Sequence, residues 1–297
     1  MFTLSLMNTT DSLCLDVRAT LTSGQAFRWR QSSEGFWLGT VEGTAIVLRQ
    51  SVEETPHRFE WQTFPVANQW EVVANYFRLE VPLEELYAVW KGVEPSLAEA
   101  ITRFRGLRIL RQPPQECFFA FQCATCNTVV KIERSVKKLA ERYGEPIETP
   151  FGTLYSFPTL SALASADEGV LRGDLWGYRA PRVISLAQHL LTKPPLWLES
   201  LREASYLEAK AELVLLHGIG AKIADCICAF CLDKDNATPV DTHIRQITCR
   251  LFRPDLNGKS LTPRVYEEVV QEWQSRFGEY AGWAQQYLFL AEMQKKV

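Results

Sequence analysis

The 297-residue chain predicts an α+β protein. It has a small antiparallel β-sheet with helices over residues 1–104, then an all-helical part over 105–297. Two observations carry that reading. Strand-forming segments separated by glycine turns crowd the first fifty residues. From about residue 105 the apolar spacing becomes helical, with Pro, Gly, Asp or Asn at the breaks. Charge divides at the same place. Residues 1–104 carry 8 Lys+Arg against 13 Asp+Glu, and residues 105–297 carry 24 against 22. A polyanion therefore docks mainly on the second part, although the whole chain, at −3, is not a generally basic nucleic-acid binder.

In the first part, FRWRQ (27–31), GFWLGTVEG (35–43) and TAIVLRQ (44–50) have strand composition, broken by Ser-Ser-Glu-Gly and Glu-Gly turns. Helices follow around 67–79 and 82–91. In the second part the helices are 113–125, 127–143, 159–165, 180–191, 197–203, 206–216, 221–233, 242–250, 263–276 and 278–294. There is no 20–50-residue repeat and no long flexible linker, so the two parts are expected to pack together. With 46% hydrophobic residues the composition is that of a folded chain with real cores. The N-terminus lacks the basic start and apolar core of a signal peptide. No stretch approaches the roughly 18 apolar residues of a membrane span. The expectation is a soluble intracellular protein without membrane contact.

Eight cysteines stand at 14, 117, 123, 126, 226, 228, 231 and 249. An intracellular chain keeps them reduced. The spacing of Cys226, Cys228 and Cys231 does not suit a zinc ribbon, and Cys123-Ala-Thr-Cys126 lies among apolar neighbours. Small buried hydrophobes describe them better than metal ligands. His57, His189 and His217 carry no partner pattern.

The most informative stretch is EAKAELVLLHGIGAKIADCICAFCL, a helix, a short turn and a helix. Gly218 and Gly220 permit the reversal, and the free N–H groups of the next helix form a natural phosphate site. A dinucleotide fingerprint fails because position 223 is Ile, and no P-loop is present. Lys222 opens that helix, against its dipole. Partial burial there lowers the amine pKa and suits a nucleophile. Snorkelling to solvent or pairing with a phosphate accounts for it equally well. In NATPVDTHIRQI, Asp241 is a natural N-cap. One helix and a return loop also bring it back toward Lys222, where a carboxylate stabilises developing positive charge.

These residues resemble the helix-hairpin-helix DNA glycosylases, and among them the 8-oxoguanine DNA glycosylase/AP lyases of the eukaryotic type. Six segments carry the resemblance in order along nearly the whole chain: ATLTSGQAFRWRQ (19–31), GLRILRQPPQECFFAFQC (106–123), GYRAPRV (177–183), GIGAKIADCICAFCLDK (218–234), PVDTHI (239–244) and YAGWAQQYLF (280–289). The resemblance implies a base-excision repair enzyme that acts on duplex DNA containing 8-oxoguanine, as a monomer and without an organic cofactor. It implies Lys222 as the Schiff-base nucleophile at C1′ and Asp241 as its carboxylate partner. The Gly24 carbonyl would accept the N7–H that 8-oxoguanine has and guanine lacks. Cys226 and Phe289 would sandwich the flipped base, and Gln285 would read its Watson–Crick edge. Tyr178 would be the wedge beside the vacated stack, Arg179 the contact to the opposite cytosine, and His243, with the Gly218–Gly220 hairpin, a phosphate contact. Hairpins of this family also hold a cation by backbone carbonyls, here near Val214, Leu216 and Ile219, with no side-chain metal ligand. Trp283 and Tyr287 read as packing.

The chain departs from the family in the segment that meets the opposite base. The asparagines that follow Cys-Ser-Ser become Cys123-Ala-Thr-Cys126-Asn127-Thr128, so the gap-filling asparagine aligns with Cys126 and the cytosine-reading arginine with Lys131. A thiol bonds weakly and lysine lacks the bidentate fork, so looser opposite-base selectivity is expected. The four-cysteine cluster of the iron–sulfur relatives is absent from the C-terminal region. Alternatives are a glycosylase for another lesion, such as a formamidopyrimidine, or a silent damaged-DNA-binding module. The presence of both Lys222 and Asp241 speaks against the latter.

Overall fold

The computed structural model describes residues 7–10, 14–50, 59–124 and 127–295. Cys126 and His57 lie outside the described residues. In the first part, β1 (Asn8–Thr10), β2 (Arg30–Gln31), β3 (Trp37–Val41), β4 (Thr44–Gln50) and β5 (Phe59–Phe64) form one antiparallel sheet in the order β1-β5-β4-β3-β2. Val41 pairs with Thr44, so β3 and β4 are joined by only Glu42-Gly43. Both have positive φ, 47° and 80°, which is the turn that matches the twist of a hairpin. Strand β4 is buried on both faces. Ile46 and Leu48 join a core with Trp61, Val73 and Phe77, whereas Ala45 and Val47 join a second with Ile147 and Leu154. That second face is covered by the small hairpin of β6 (Pro146–Ile147) and β7 (Leu154–Tyr155), lent by the helical part.

The helices are α1 (Val17–Leu21), α2 (Trp70–Tyr76), α3 (Leu83–Trp90), α4 (Pro95–Arg103), α5 (Pro114–Gln122), α6 (Val129–Tyr143), α7 (Leu160–Ala164), α8 (Glu168–Leu171), α9 (Ala180–Leu190), α10 (Trp197–Ser200), α11 (Tyr206–Val214), α12 (Ala221–Cys231), α13 (Thr242–Leu251), α14 (Pro263–Phe277) and α15 (Ala281–Gln294). One large core runs through them and takes in α3 and α4 from the first part. Two buried ion pairs tie the parts together: Arg28–Glu116 at 2.5 Å and Arg78–Asp235 at 2.5 Å. Breaking one partner of a buried pair costs several kcal/mol, roughly 3–5, so these contacts resist separation of the two parts.

The sequence-based elements need correction at several places. FRWRQ is strand only at Arg30–Gln31. Phe27 is buried in the large core and Trp29 packs on Tyr76 and Phe77, so tertiary packing displaces the strand start. Strand β5 and helix α4 were not anticipated. Helix α5 ends at Gln122 with Cys123 as its C-cap, short of the expected 125, and α6 starts at Val129. The last helix begins at Ala281, after a 3₁₀ turn over Gly278–Tyr280.

Between α8 and α9 the chain makes a widened helical turn, Arg172–Trp176, and a 3₁₀ turn, Gly177–Arg179. Leu175 there has φ 72° and ψ 7°, a left-handed conformation that costs a non-glycine residue about 1–2 kcal/mol. The turn is held to α6 on both sides of Leu175. Asp174 accepts from Arg142 Nε at 2.6 Å and Lys138 Nζ at 3.3 Å, and Trp176 Nε1 donates to the Ser135 carbonyl at 3.3 Å. The Arg142 hydrogen bond holds the Asp174 carboxyl below the ordinary carboxylate value. Among the described residues, no helix is long and apolar enough to cross a membrane.

Candidate active site

The hairpin between α11 and α12 reverses as the sequence suggested. Gly218 has φ 79°, which a side chain rarely adopts. Gly220 is the N-cap of α12. From Ile223 to Cys231 every residue of α12 is buried, so the helix is fixed on all sides, and Lys222, Cys226 and Phe230 along one face of it line a cavity. Lys222 emerges from its first turn. Asp241 caps α13, accepting from Ile244 N at 2.8 Å. The capping role and the approach to Lys222 coexist.

A cavity of about 50 Å³ is lined by residues that include Lys222, Asp241, Gly24, Cys226, Gln285 and Phe289. Two catalytic and four base-binding candidates, scattered over more than 260 positions of the chain, thus meet at one place. Phe121, Phe230, Pro239 and Ile244 complete much of the wall. Sequence reasoning missed these, because an apolar residue in an apolar helix gives no sign of facing a site. Gly24 needs to be glycine for its φ of 78°. A Cβ there would meet Phe289 Cε1 at 3.7 Å, an ordinary packing distance, so the Phe289 ring lies beside the glycine. An engineered void of about 150 Å³ accepts benzene, so a cavity of about 50 Å³ takes a purine only after it widens. His243 packs edge-to-face on Phe289, with centroids 6.2 Å apart.

The turn that presents Gly24 is bolted in place. Gln25 Nε2 donates to the Thr20 and Arg108 carbonyls, and Gln286 Nε2 of α15 donates to the Ser23 carbonyl at 2.9 Å. Gln285, the next residue, is 4% exposed, and its Nε2 has no hydrogen-bond acceptor. A buried unsatisfied donor costs about 1–3 kcal/mol; a ligand with an acceptor at that point would recover it.

The expected lowering of the Lys222 pKa is not observed. Cys226 first, and Asp241 in addition, hold the ammonium above the ordinary lysine value against the opposing effect of burial. Burial pushes the Cys226 thiol up to about 11. Cys226 lies one helical turn after Lys222, and that i, i+4 spacing was the available sign. Lys222 also lies 5.6 Å from the Phe121 ring centroid, a further cation-favouring contact. Lys222 and Asp241 are not joined by an ion pair.

Behind this wall is a carboxylate that the sequence reading passed over. Asp225, fully buried, accepts from Tyr206 OH at 2.7 Å and Tyr266 OH at 2.6 Å and pairs with Lys210 Nζ at 3.2 Å. Burial nevertheless raises its pKa. The Tyr266 oxygen in turn accepts from Val240 N–H at 3.2 Å. Asp225 on α12 is therefore linked through Tyr266 on α14 to the backbone just before Asp241. The sign was present: an aspartate inside KIADCIC cannot be buried without partners.

The remaining candidates are not among the residues lining the cavity. Tyr178 is 59% exposed, with the guanidinium of the buried Arg179 4.3 Å from its ring centroid. Asn127 Nδ2 donates to the Cys123 carbonyl at 3.2 Å, turning back toward α5. Lys131 is exposed on α6. Trp283 and Tyr287 are core residues that bond to Asp235 and to the Leu107 carbonyl. Seven described cysteines are free thiols, and no group of His, Cys, Asp and Glu among the described residues is arranged to hold a metal ion.

The chain is similar to known proteins along most of its length. Residues 6–118 match the 8-oxoguanine DNA glycosylase N-terminal domain, and residues 125–272 match the HhH-GPD superfamily of base excision DNA repair proteins. The N-glycosylase/DNA lyase OGG1 of Arabidopsis thaliana is 34% identical over 94% of this chain and 78% of that protein. The N-glycosylase/DNA lyase of Saccharomyces cerevisiae is 31% identical over 92% and 82%. The fold is that of the Clostridium acetobutylicum 8-oxoguanine glycosylase/lyase solved with dsDNA containing cytosine opposite 8-oxoG, with a TM-score of 0.85 at 23% identity over 98% of both chains.

Proposed function

This chain belongs to the N-glycosylase/DNA lyase family, and we propose that it removes 8-oxoguanine from duplex DNA and cleaves the strand at the resulting site. The observation that carries the reading is the single cavity that gathers an amine, a carboxylate, a glycine backbone and a buried amide without an acceptor. C1′ is out of reach inside a duplex, so the nucleotide must be extruded into the cavity. Tyr178 then fills the vacated stack, Arg179 reaches the opposite base, and Asn127 and Lys131 line the same approach. Cys226 and Phe289 hold the base between them, and Gln285 pairs with its edge. The Gly24 carbonyl accepts N7–H from 8-oxoguanine and would be left facing a lone pair by guanine. One such buried hydrogen bond separates the two bases by about 1–3 kcal/mol.

The chemistry follows from the amine. Lys222 Nζ, once deprotonated, bonds to C1′ as the C1′–N9 bond breaks, and the base leaves with the electron pair and takes up a proton. Asp241 offsets the positive charge that grows at the sugar. Opening of the C1′–O4′ bond leaves an imine between Lys222 and C1′. Loss of a C2′ proton then expels the 3′-phosphate, and water releases the lysine. The first part of the chain supplies the Gly24 wall and the second supplies the reacting groups. His243 and the Gly218–Gly220 hairpin hold the phosphates, and the protein works as a monomer wherever the duplex is. Borohydride trapping tests the reading. A duplex with one 8-oxoguanine opposite C should give a covalent band that Lys222→Gln abolishes and undamaged DNA does not produce. Tight lesion binding without any band would overturn it.

A further inference from the structure

The loop before α9 carries a strained apolar residue that the proposed chemistry leaves unused. Leu175 is held at φ 72°, a region that bulky side chains avoid, and it is 44% exposed, so packing does not compensate for the strain. Its two neighbours are fixed. Asp174 is gripped by Arg142 and Lys138, and the fully buried Trp176 bonds to the Ser135 carbonyl. Three residues on, Tyr178 is 59% exposed, again between buried residues, Trp176 on one side and Arg179 and Ala180 on the other. The loop thus uses its buried side chains to clamp itself to α6 and projects two large apolar ones. Strain of this kind persists where the surroundings over-determine it, and it concentrates at functional sites.

We propose that Leu175 is a second wedge, which enters the base stack of duplex DNA from the same loop as Tyr178. A step opened by extrusion of a nucleotide exposes apolar base faces. Leucine is among the side chains that fill such steps and keep them unstacked. The clamp at Asp174 and Trp176 gives Leu175 a rigid base from which to push. The partner is the stacked face of a duplex step, in continuity with the position proposed for Tyr178, so the inference rests on the nucleotide-flipping reading above.

The test uses the full chain with Leu175→Asn and Leu175→Gly, both of which tolerate the left-handed backbone. Relief of strain should hold the Tm or raise it by about 1–3 °C. Affinity for a duplex with paired 8-oxoguanine, read by fluorescence anisotropy, should fall about tenfold, the scale of one half-exposed leucine lost from an apolar contact. With the lesion mispaired, where unstacking costs less, the defect should shrink to about twofold. Unchanged affinity in both variants would overturn the proposal. So would an equal defect on both duplexes, or a lower Tm that accounts for the weaker binding. Trapping by the unsubstituted chain tests the flipping reading separately: no band there removes the premise, while a band with unaffected Leu175 variants removes only the second wedge.

Discussion

Tyr266→Phe deletes one oxygen where two buried groups meet. That oxygen donates to Asp225 at 2.6 Å and accepts from Val240 N–H at 3.2 Å. Losing a hydrogen bond to a charged group costs about 1.5–3 kcal/mol, and leaving the Val240 N–H unpaired about 1–3 more. Tyr206 and Lys210 stay on the carboxylate and the two losses are coupled, so a net of about 3 kcal/mol is expected. At about 2 °C per kcal/mol for a chain of this size, the Tm falls by about 6 °C. The pH dependence is fixed in sign. Burial raises the Asp225 pKa in the folded protein, so the folded state keeps this proton to higher pH than the unfolded chain. The stability that this proton brings is full below the ordinary carboxylate value and is lost as pH rises through the raised one. Tyr266 supports the ionised form, so its loss is felt more at pH 8 than at pH 5. Thermal melts at the two pH values read this directly. The same substitution frees the backbone before Asp241, so single-turnover trapping should slow about tenfold with DNA affinity within about twofold. A Tm within about 1 °C of the parent, or a deficit larger at pH 5 than at pH 8, would refute the linkage.

Gln285→Ala should reduce discrimination of the lesion from guanine by about tenfold or more in competition binding, yet leave the Tm unchanged or slightly higher, because an acceptor-less buried amide is removed. The trapping rate of the parent should climb with pH above neutrality, since the amine must be deprotonated and its pKa is raised. Cys226→Ala removes the leading support for the ammonium, so the midpoint of that rise should move to lower pH even if the amplitude drops; a midpoint moving upward would contradict the assignment. Excision measured opposite C, A, G and T should show a weak preference for C, strengthened by Cys126→Asn with Lys131→Arg; a strong preference lost only on changing Arg179 would defeat the argument.

What could be read from the sequence depended on how local the cause was. The α11–α12 hairpin was legible because Gly218, Lys222 and the apolar run after it are contiguous, and β4 because its composition suits a strand buried on both faces. Strand β5 pairs with its chain neighbour β4, Gln50 opposite Phe59, and its FEWQTF composition was passed over, whereas FRWRQ is pulled out of the sheet by contacts of Phe27 and Trp29 with elements far along the chain. The Lys222 pKa was misjudged because dipole and burial were weighed alone, while Cys226, one turn on in the same helix, and Asp241, from a second element, hold the ammonium up. Gln285 could be named from the family resemblance, but that its amide lacks an acceptor is a property of packing alone.

The small size of the cavity at Gly24 also bears on what the protein ignores. An occupant larger than a void of about 50 Å³ requires a wider arrangement, and its apparent affinity is lowered by the fraction of molecules in that arrangement. A free purine or nucleoside from solution carries that whole penalty itself. A nucleotide still joined to a bound duplex is presented at high effective concentration and shares the penalty with every phosphate contact already made. On this account a free purine is a poor competitor for a nucleotide presented by the bound duplex.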